Sequence, residues 1–172
     1  SILEISGAEQ CSIVLNSLSK RSMMTGYAIG FFASKNPELC VPFGKITRKS
    51  VQGVTTFLQD SAAVAFNDQR HCEEMRKIYK ARKEAFLPAL EKIGCAVVKP
   101  KGTFFAWAKI PKKFKTAFEF SKWLLLEKGI NSVPGDLVSN DFHGINPGKG
   151  FARFALVPSI EKVKIAAERL SK

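Results

Sequence analysis

Acidic side chains are scarce in this sequence: 15 Asp and Glu stand against 27 Lys and Arg, a formal net charge of +12. Such an excess can mark a nucleic-acid or anionic-membrane partner. Here the basic residues are spread along the chain (Lys45, Arg48 and Lys49, then Arg76 to Lys83, then Lys99 to Lys115), and no nucleic-acid motif organises them. A solvated helix surface is the expected use of that charge, with no nucleic-acid partner. Long apolar runs are missing too. None approaches the roughly 18 residues that a membrane-spanning helix needs, so no membrane partner is expected. The start, Ser1-Ile2-Leu3-Glu4, lacks the basic-then-apolar pattern of a signal peptide. It also lacks a Met, which fits a processed chain, a trimmed one or a segment of a longer one. Cysteine is limited to Cys11, Cys40, Cys72 and Cys95, with no CxxC pair. That spacing excludes a disulfide scaffold and a structural zinc site, so no metal is expected. Buried free thiols in a reducing cytoplasm are the simpler reading. Histidine is down to His71 and His143, neither beside an acid–nucleophile pattern, and both read as structural or exposed.

What remains is an ordinary globular composition, 45% hydrophobic and 24% charged, in 172 residues. That length suits one domain, or a small domain with part of another. Ser12 to Ser17 reads as a short buried strand, and Ala28 to Ala33 as its neighbour. Asn36-Pro37-Glu38 opens a helix, and Ile46 to Phe66 is compatible with one more. The clearest helix runs from about Asn67 to Ile93, with Met75, Ile78, Tyr79, Arg82, Phe86, Ala89, Leu90 and Ile93 recurring every three or four positions. Gly94 is placed to end it. Strands follow at Cys95–Val98, Thr103–Lys109, Ile130–Val133 and Phe151–Leu156. Thr116-Ala117-Phe118-Glu119 is a capping box and Ser159 caps a final helix. The pattern is α/β at the start and α+β after about residue 70.

The stretch with chemical content is Ser17-Leu18-Ser19-Lys20-Arg21-Ser22-Met23-Met24-Thr25-Gly26-Tyr27-Ala28-Ile29-Gly30. It sets a lysine at the exit of a strand among small hydroxyl residues. A free lysine has a pKa near 10.4 and is not nucleophilic at neutral pH. Desolvation and a neighbouring cation such as Arg21 favour the neutral amine, which condenses with carbonyls. On physical grounds alone, a lysine leaving a strand is more often a surface lysine. An arginine in an apolar strand, such as Arg153 in Gly148-Lys149-Gly150-Phe151-Ala152-Arg153, is likewise more often a structural ion-pair partner.

The Lys20 stretch resembles the cofactor-lysine signature of class I and II aminotransferases, enzymes of the fold-type-I pyridoxal-phosphate class. Ser17, Leu18, Ser19, Lys20, Thr25, Gly26, Tyr27, Ile29 and Gly30 all fit it. Lys99-Pro-Lys-Gly-Thr-Phe-Phe-Ala-Trp107, the Val133-Pro134-Gly135 turn and the Gly-x-Gly-aromatic-x-Arg strand ending at Arg153 extend the likeness along the chain. The resemblance implies an α/β fold: residues 1–69 as the end of the large, cofactor-binding domain and 70–172 as an α+β small domain. It implies Lys20 as the catalytic residue that holds pyridoxal 5′-phosphate covalently. Ser17 and Ser19 would bind its phosphate, and Arg153 the substrate's α-carboxylate. The implied reaction moves an amino group between an α-amino acid and a 2-oxo acid in a cytoplasmic homodimer. A carbon–sulfur lyase of the same fold and a non-catalytic module without cofactor are the alternatives. One departure stands out. Ala28 occupies the position, eight residues after the lysine, where the family carries a phosphate-binding arginine. Its loss should weaken the hold on the cofactor by about 2–4 kcal/mol, taking a broken charge-assisted contact as guide. The residues implied to cradle the cofactor ring precede this sequence in the family order, so 172 residues alone are expected to be inactive.

Overall fold

The computed structural model describes residues 1–51 and 53–172. It divides into two compact units, Ser1–Glu74 and Met75–Lys172.

The first unit is built on an antiparallel pair, β1 (Val14–Ser17) and β2 (Gly30–Ala33), in a register that sets Ser17 opposite Gly30. Between them lies a single helical turn, α1 (Leu18–Arg21), and a 3-10 turn at Thr25–Tyr27. Leu18 is fully buried, and with Ile29 and Ala62 it forms a small core against which Met24, Leu58, Ala65 and Phe66 pack. Two helices follow, α2 (Pro37–Val51) and α3 (Thr56–Asn67). Asn36 accepts from the Glu38 amide at 2.8 Å, and Pro37 takes the first helical position, where its missing donor costs nothing.

Two expectations are corrected here. Ser12 to Ser17 reads as a buried strand, yet Leu15, Asn16 and Ser17 are exposed. β-Branched residues are enough to extend a backbone, whereas burying it takes a covering layer, and among the described residues these two strands pair only with each other. The helix expected over Ile46–Phe66 is two helices. Gly53–Thr55 are not helical and Gly53 has φ +109°, a conformation that glycine adopts freely; Gln52, within that expected span, lies outside the described residues.

The helix α4 (Arg70–Lys92) opens where the Asp68 carboxylate accepts the Arg70 amide at 2.9 Å. It stops at Gly94, with φ +92° and its N–H donating to the Glu91 carbonyl. The second unit then forms a four-stranded antiparallel sheet from β3 (Ala96–Val97), β4 (Phe105–Lys109), β5 (Val133–Pro134) and β6 (Phe151–Ala155), in the order β3-β4-β6-β5. Helices α5 (Ala117–Lys128) and α6 (Ile160–Ser171) complete it. Thr116 accepts from the Glu119 amide as expected of a cap, while the Glu119 carboxylate reaches back to the Lys115 amide. Ser159 caps α6 through the Lys162 amide.

Alternation along the two central strands decides which side chains enter the core. Ala106, Ala108, Ala152 and Phe154 are buried with Phe86, Leu90, Phe120, Leu124, Val163 and Leu170. The intervening residues Phe105, Trp107, Phe151 and Arg153 are half-buried on the other face. The two-residue period therefore places Arg153 opposite to the helical core.

Among the described residues, no helix is long and apolar enough to cross a membrane, and no group of three or more His, Cys, Asp or Glu is set to hold a metal ion. Cys11 is exposed, whereas Cys95 is buried and burial pushes its thiol from the ordinary 9.0 up to about 12. The unfolded thiol therefore loses its proton first, and the stability tied to Cys95 is lost as pH rises from about 9 to about 12. Iodoacetamide at mildly alkaline pH should alkylate Cys11 and spare Cys95 until urea is added. Mass mapping that finds Cys95 modified as fast as Cys11 in the folded protein would contradict that burial.

Candidate active site

The turn after β1 is shaped by its hydroxyls. Ser17 caps α1: its Oγ accepts from the Ser19 amide at 3.2 Å and donates to the Ile29 carbonyl at 3.4 Å. The Thr25 hydroxyl donates to the Ser19 carbonyl at 3.0 Å. Leu18 anchors the turn in the small core, and the turn presents Lys20 outward. Its side chain is exposed and, among the described residues, makes no hydrogen bond or ion pair. The sequence suggests a desolvated amine. Among the described residues nothing closes over the Lys20 side chain, and desolvation needs such a cover.

Arg21 is engaged with the end of α3. Its guanidinium donates to the carbonyls of Ala65 at 2.7 Å and Phe66 at 3.2 Å, and lies 5.2 Å from the Phe66 ring centroid. These are carbonyls left over at the end of α3, the negative end of its dipole, and a cation is favoured there. The guanidinium is thus committed to the fold, not available to replace the arginine missing at Ala28. Ala28 itself is exposed with φ +49°.

Arg153 stands on β6 opposite Trp107 of β4 and Val133 of β5. Its guanidinium lies over Phe105 with 4.6 Å to the ring centroid, a contact that orients the fork and leaves its N–H groups free. No protein acceptor meets them among the described residues. The strand is delivered by a backbone contact between two glycines: a Cβ on Gly148 would sit 2.1 Å from the Gly135 carbonyl oxygen, and one on Gly135 would sit 2.4 Å from the Gly148 oxygen. The second unit also holds a cavity of about 620 Å³, lined by Arg153, Ser132, Phe86, Ile130, Leu156 and Arg169 among others.

The expected site residues thus fall in two places. Ser17, Ser19 and Lys20 share one turn of the first unit, and Arg153 belongs to the second. Two features have no signal in sequence spacing: the Gly135–Gly148 contact, and a contact from His71 and Cys72 onto the residues after Lys20. Only coordinates bring such distant positions together.

A family model described as aminotransferase class I and II matches residues 2–170. The LL-diaminopimelate aminotransferase of Nitratidesulfovibrio vulgaris (strain DSM 19637 / Miyazaki F) is 33% identical over 99% of this chain, and that of Aquifex aeolicus (strain VF5) is 37% identical over 99%. The chain spans 42% of the length of each. Among solved structures, the aromatic aminotransferase of Pyrococcus horikoshii OT3 superimposes with a TM-score of 0.86 at 31% identity, covering 99% of this chain and 44% of that one. The α/β fold read from the sequence is therefore the aminotransferase fold, and the chain belongs to the class I and II aminotransferases.

Proposed function

We propose that this sequence serves amino-group transfer between an α-amino acid and a 2-oxo acid, with Lys20 as the residue that holds pyridoxal 5′-phosphate and Arg153 as the grip on the substrate's α-carboxylate. The observation that carries this reading is a pair of unspent cations in a family whose chemistry calls for both. Lys20 and Arg153 each lie in the matched motif, and neither has a protein acceptor among the described residues. The residues of this turn fit the cofactor's covalent hold: an exposed amine on a short turn, with the Ser19 hydroxyl beside it and the Ser17 hydroxyl at its base. They do not supply a guanidinium for the phosphate.

When bound, pyridoxal phosphate supplies a carbonyl for amines and a conjugated ring that accepts the electron pair released at the substrate Cα. Lys20, displaced by the incoming amino acid, would take the proton from Cα and return it at the cofactor's C4′. Ser19 would donate to a phosphate oxygen, and Ser17 would join it by turning its one proton away from the Ile29 carbonyl, 3.4 Å distant. Arg153 would meet the carboxylate with two parallel N–H groups, fixing which Cα bond faces the base. Relatives of similar identity carry different substrate names, LL-diaminopimelate and aromatic, so the shared element is the α-amino acid head that Arg153 would take. A cytoplasmic homodimer is the form the family resemblance supports for the longer enzyme.

A second reading has its own observation. Ala28 and the exposed Lys20 favour a module of the same fold that holds no cofactor. Incubation with pyridoxal phosphate, borohydride reduction and peptide mapping separates the two. Label should concentrate on Lys20 and vanish from that peptide in Lys20→Ala. Label scattered evenly over the surface lysines would leave the non-catalytic module standing.

A further inference from the structure

We infer that His71 and Cys72 are positioning residues for the Lys20 turn, fastening the residues that follow the lysine to the first turn of α4. The inference rests on the assignment of Lys20 above. A helix of one turn does not sustain itself, because nucleation fixes several residues for a single hydrogen bond. α1 spans only Leu18–Arg21, and the backbone leaves the helical region at Ser22, with φ −120° and ψ 12°. The direction in which Lys20 points must therefore be set from outside.

Two contacts from α4 do this. The Cys72 thiol is buried and donates to the Arg21 carbonyl at 3.3 Å, satisfying an acceptor that a helix end leaves open. The His71 Nε2 lies 2.9 Å from the Ser22 hydroxyl and 3.4 Å from the Cys72 sulfur. Ser22 Oγ already accepts from the Arg21 guanidinium at 3.2 Å, so its own proton is free to go to the imidazole. In the tautomer that accepts this proton at Nε2, the ring proton is on Nδ1, which faces the Asp68 carboxylate at 3.9 Å. The Arg70 guanidinium beside Asp68 holds that carboxyl below its usual range, so it stays charged opposite the Nδ1–H.

Arg21 and Ser22 are thereby tied at three points: the Arg21 carbonyl to Cys72, the Arg21 side chain to the end of α3, and the Ser22 hydroxyl to His71. Among the described residues, no side-chain contact holds the Lys20 amine itself. A rigid residue directly after a free amine restricts where that amine can swing, and reactions that depend on such aim lose heavily from displacements of an ångström. His71 and Cys72 touch no reacting atom; they act through the turn.

The test uses the 172-residue chain. His71→Ala and Cys72→Val remove the contacts, while His71→Gln and Cys72→Ser keep a polar partner for Ser22 and a donor for the Arg21 carbonyl. Borohydride-fixed pyridoxal phosphate on Lys20, measured against label on Lys77 and Lys80 of α4, should fall about tenfold in the first pair, the loss of one net hydrogen bond. It should return to within about twofold of the parent in the second pair, a rescue that simple loss of packing does not give. Amide hydrogen exchange over residues 19–24 reads the same fastening without any cofactor and should quicken only in the first pair. Parent-like exchange and labelling in both Ala and Val variants overturns the inference while leaving Lys20 in place. A parent chain in which Lys20 takes no more label than Lys77 or Lys80 sinks the Lys20 assignment instead, and with it the purpose of the fastening.

Discussion

Gly148→Ala should be among the most damaging single-methyl additions in the second unit, lowering its stability by about 3 kcal/mol, the upper end of what overpacking costs. The new Cβ would meet the Gly135 carbonyl oxygen at 2.1 Å, the Gly135 carbonyl carbon at 2.4 Å and the Ser139 hydroxyl at 2.5 Å. Two of those are backbone atoms, so no rotamer change relieves the contact. The loop cannot simply back away either. Asn146 ties it in place by accepting from the Gly148 amide at 2.9 Å and donating to the Ser139 carbonyl at 3.3 Å. Gly150→Ala is the fitting comparison. A Cβ there meets nothing within 4 Å, and the cost is only that of a left-handed φ of +78°, about 1 kcal/mol. Urea midpoints should therefore rank the parent above G150A and G150A well above G148A. Because β6 begins at Phe151, the same displacement should weaken the carboxylate binding proposed for Arg153. Equal midpoints for the two variants would mean the glycine contact is not what seats this strand.

That glycine pair shows how the sequence and the fold inform each other. The Pro-Gly turn and the Gly-x-Gly run can be recognised as motifs, but nothing in the spacing of 135 and 148 says that they touch. The helices were legible because their signals are local. The recurrence of Phe86, Ala89, Leu90 and Ile93 marks α4, and Thr116 and Ser159 mark the starts of α5 and α6. Burial of β1 was not legible, since it depends on what covers the strand. Nor was the non-helical stretch Gly53–Thr55, where Gly53 competes with a run of residues that tolerate a helix. Lys20 and Arg153 stood out only through resemblance to a family; by spacing alone each is an ordinary cation. The true employment of Arg21, as a cap on α3, needed coordinates because its partners lie 44 and 45 residues away.

Restoring the absent guanidinium should have the opposite sign. Ala28→Arg is expected to tighten the hold on pyridoxal phosphate about ten- to a hundredfold, the equivalent of one charge-assisted contact of roughly 1.5–3 kcal/mol. The position already has a φ of +49°, so Ala28 itself bears the cost of a Cβ in the left-handed region. A second unbranched side chain there adds no comparable strain. Ala28 is exposed, which leaves room for the longer chain but also lets salt screen its charge, so the gain should sit nearer tenfold at physiological ionic strength. Ala28→Gln offers hydrogen-bond donors without the charge and should recover little of it. Titrating the parent, A28R and A28Q with pyridoxal phosphate at two salt concentrations distinguishes these contributions. In Lys20→Ala the same A28R gain should persist for non-covalent binding, because on the proposed reading separate groups would hold the phosphate and form the covalent link. If A28R, A28Q and the parent bind alike at low salt, residue 28 does not face the phosphate, and Ser17 and Ser19 lose their assignment with it.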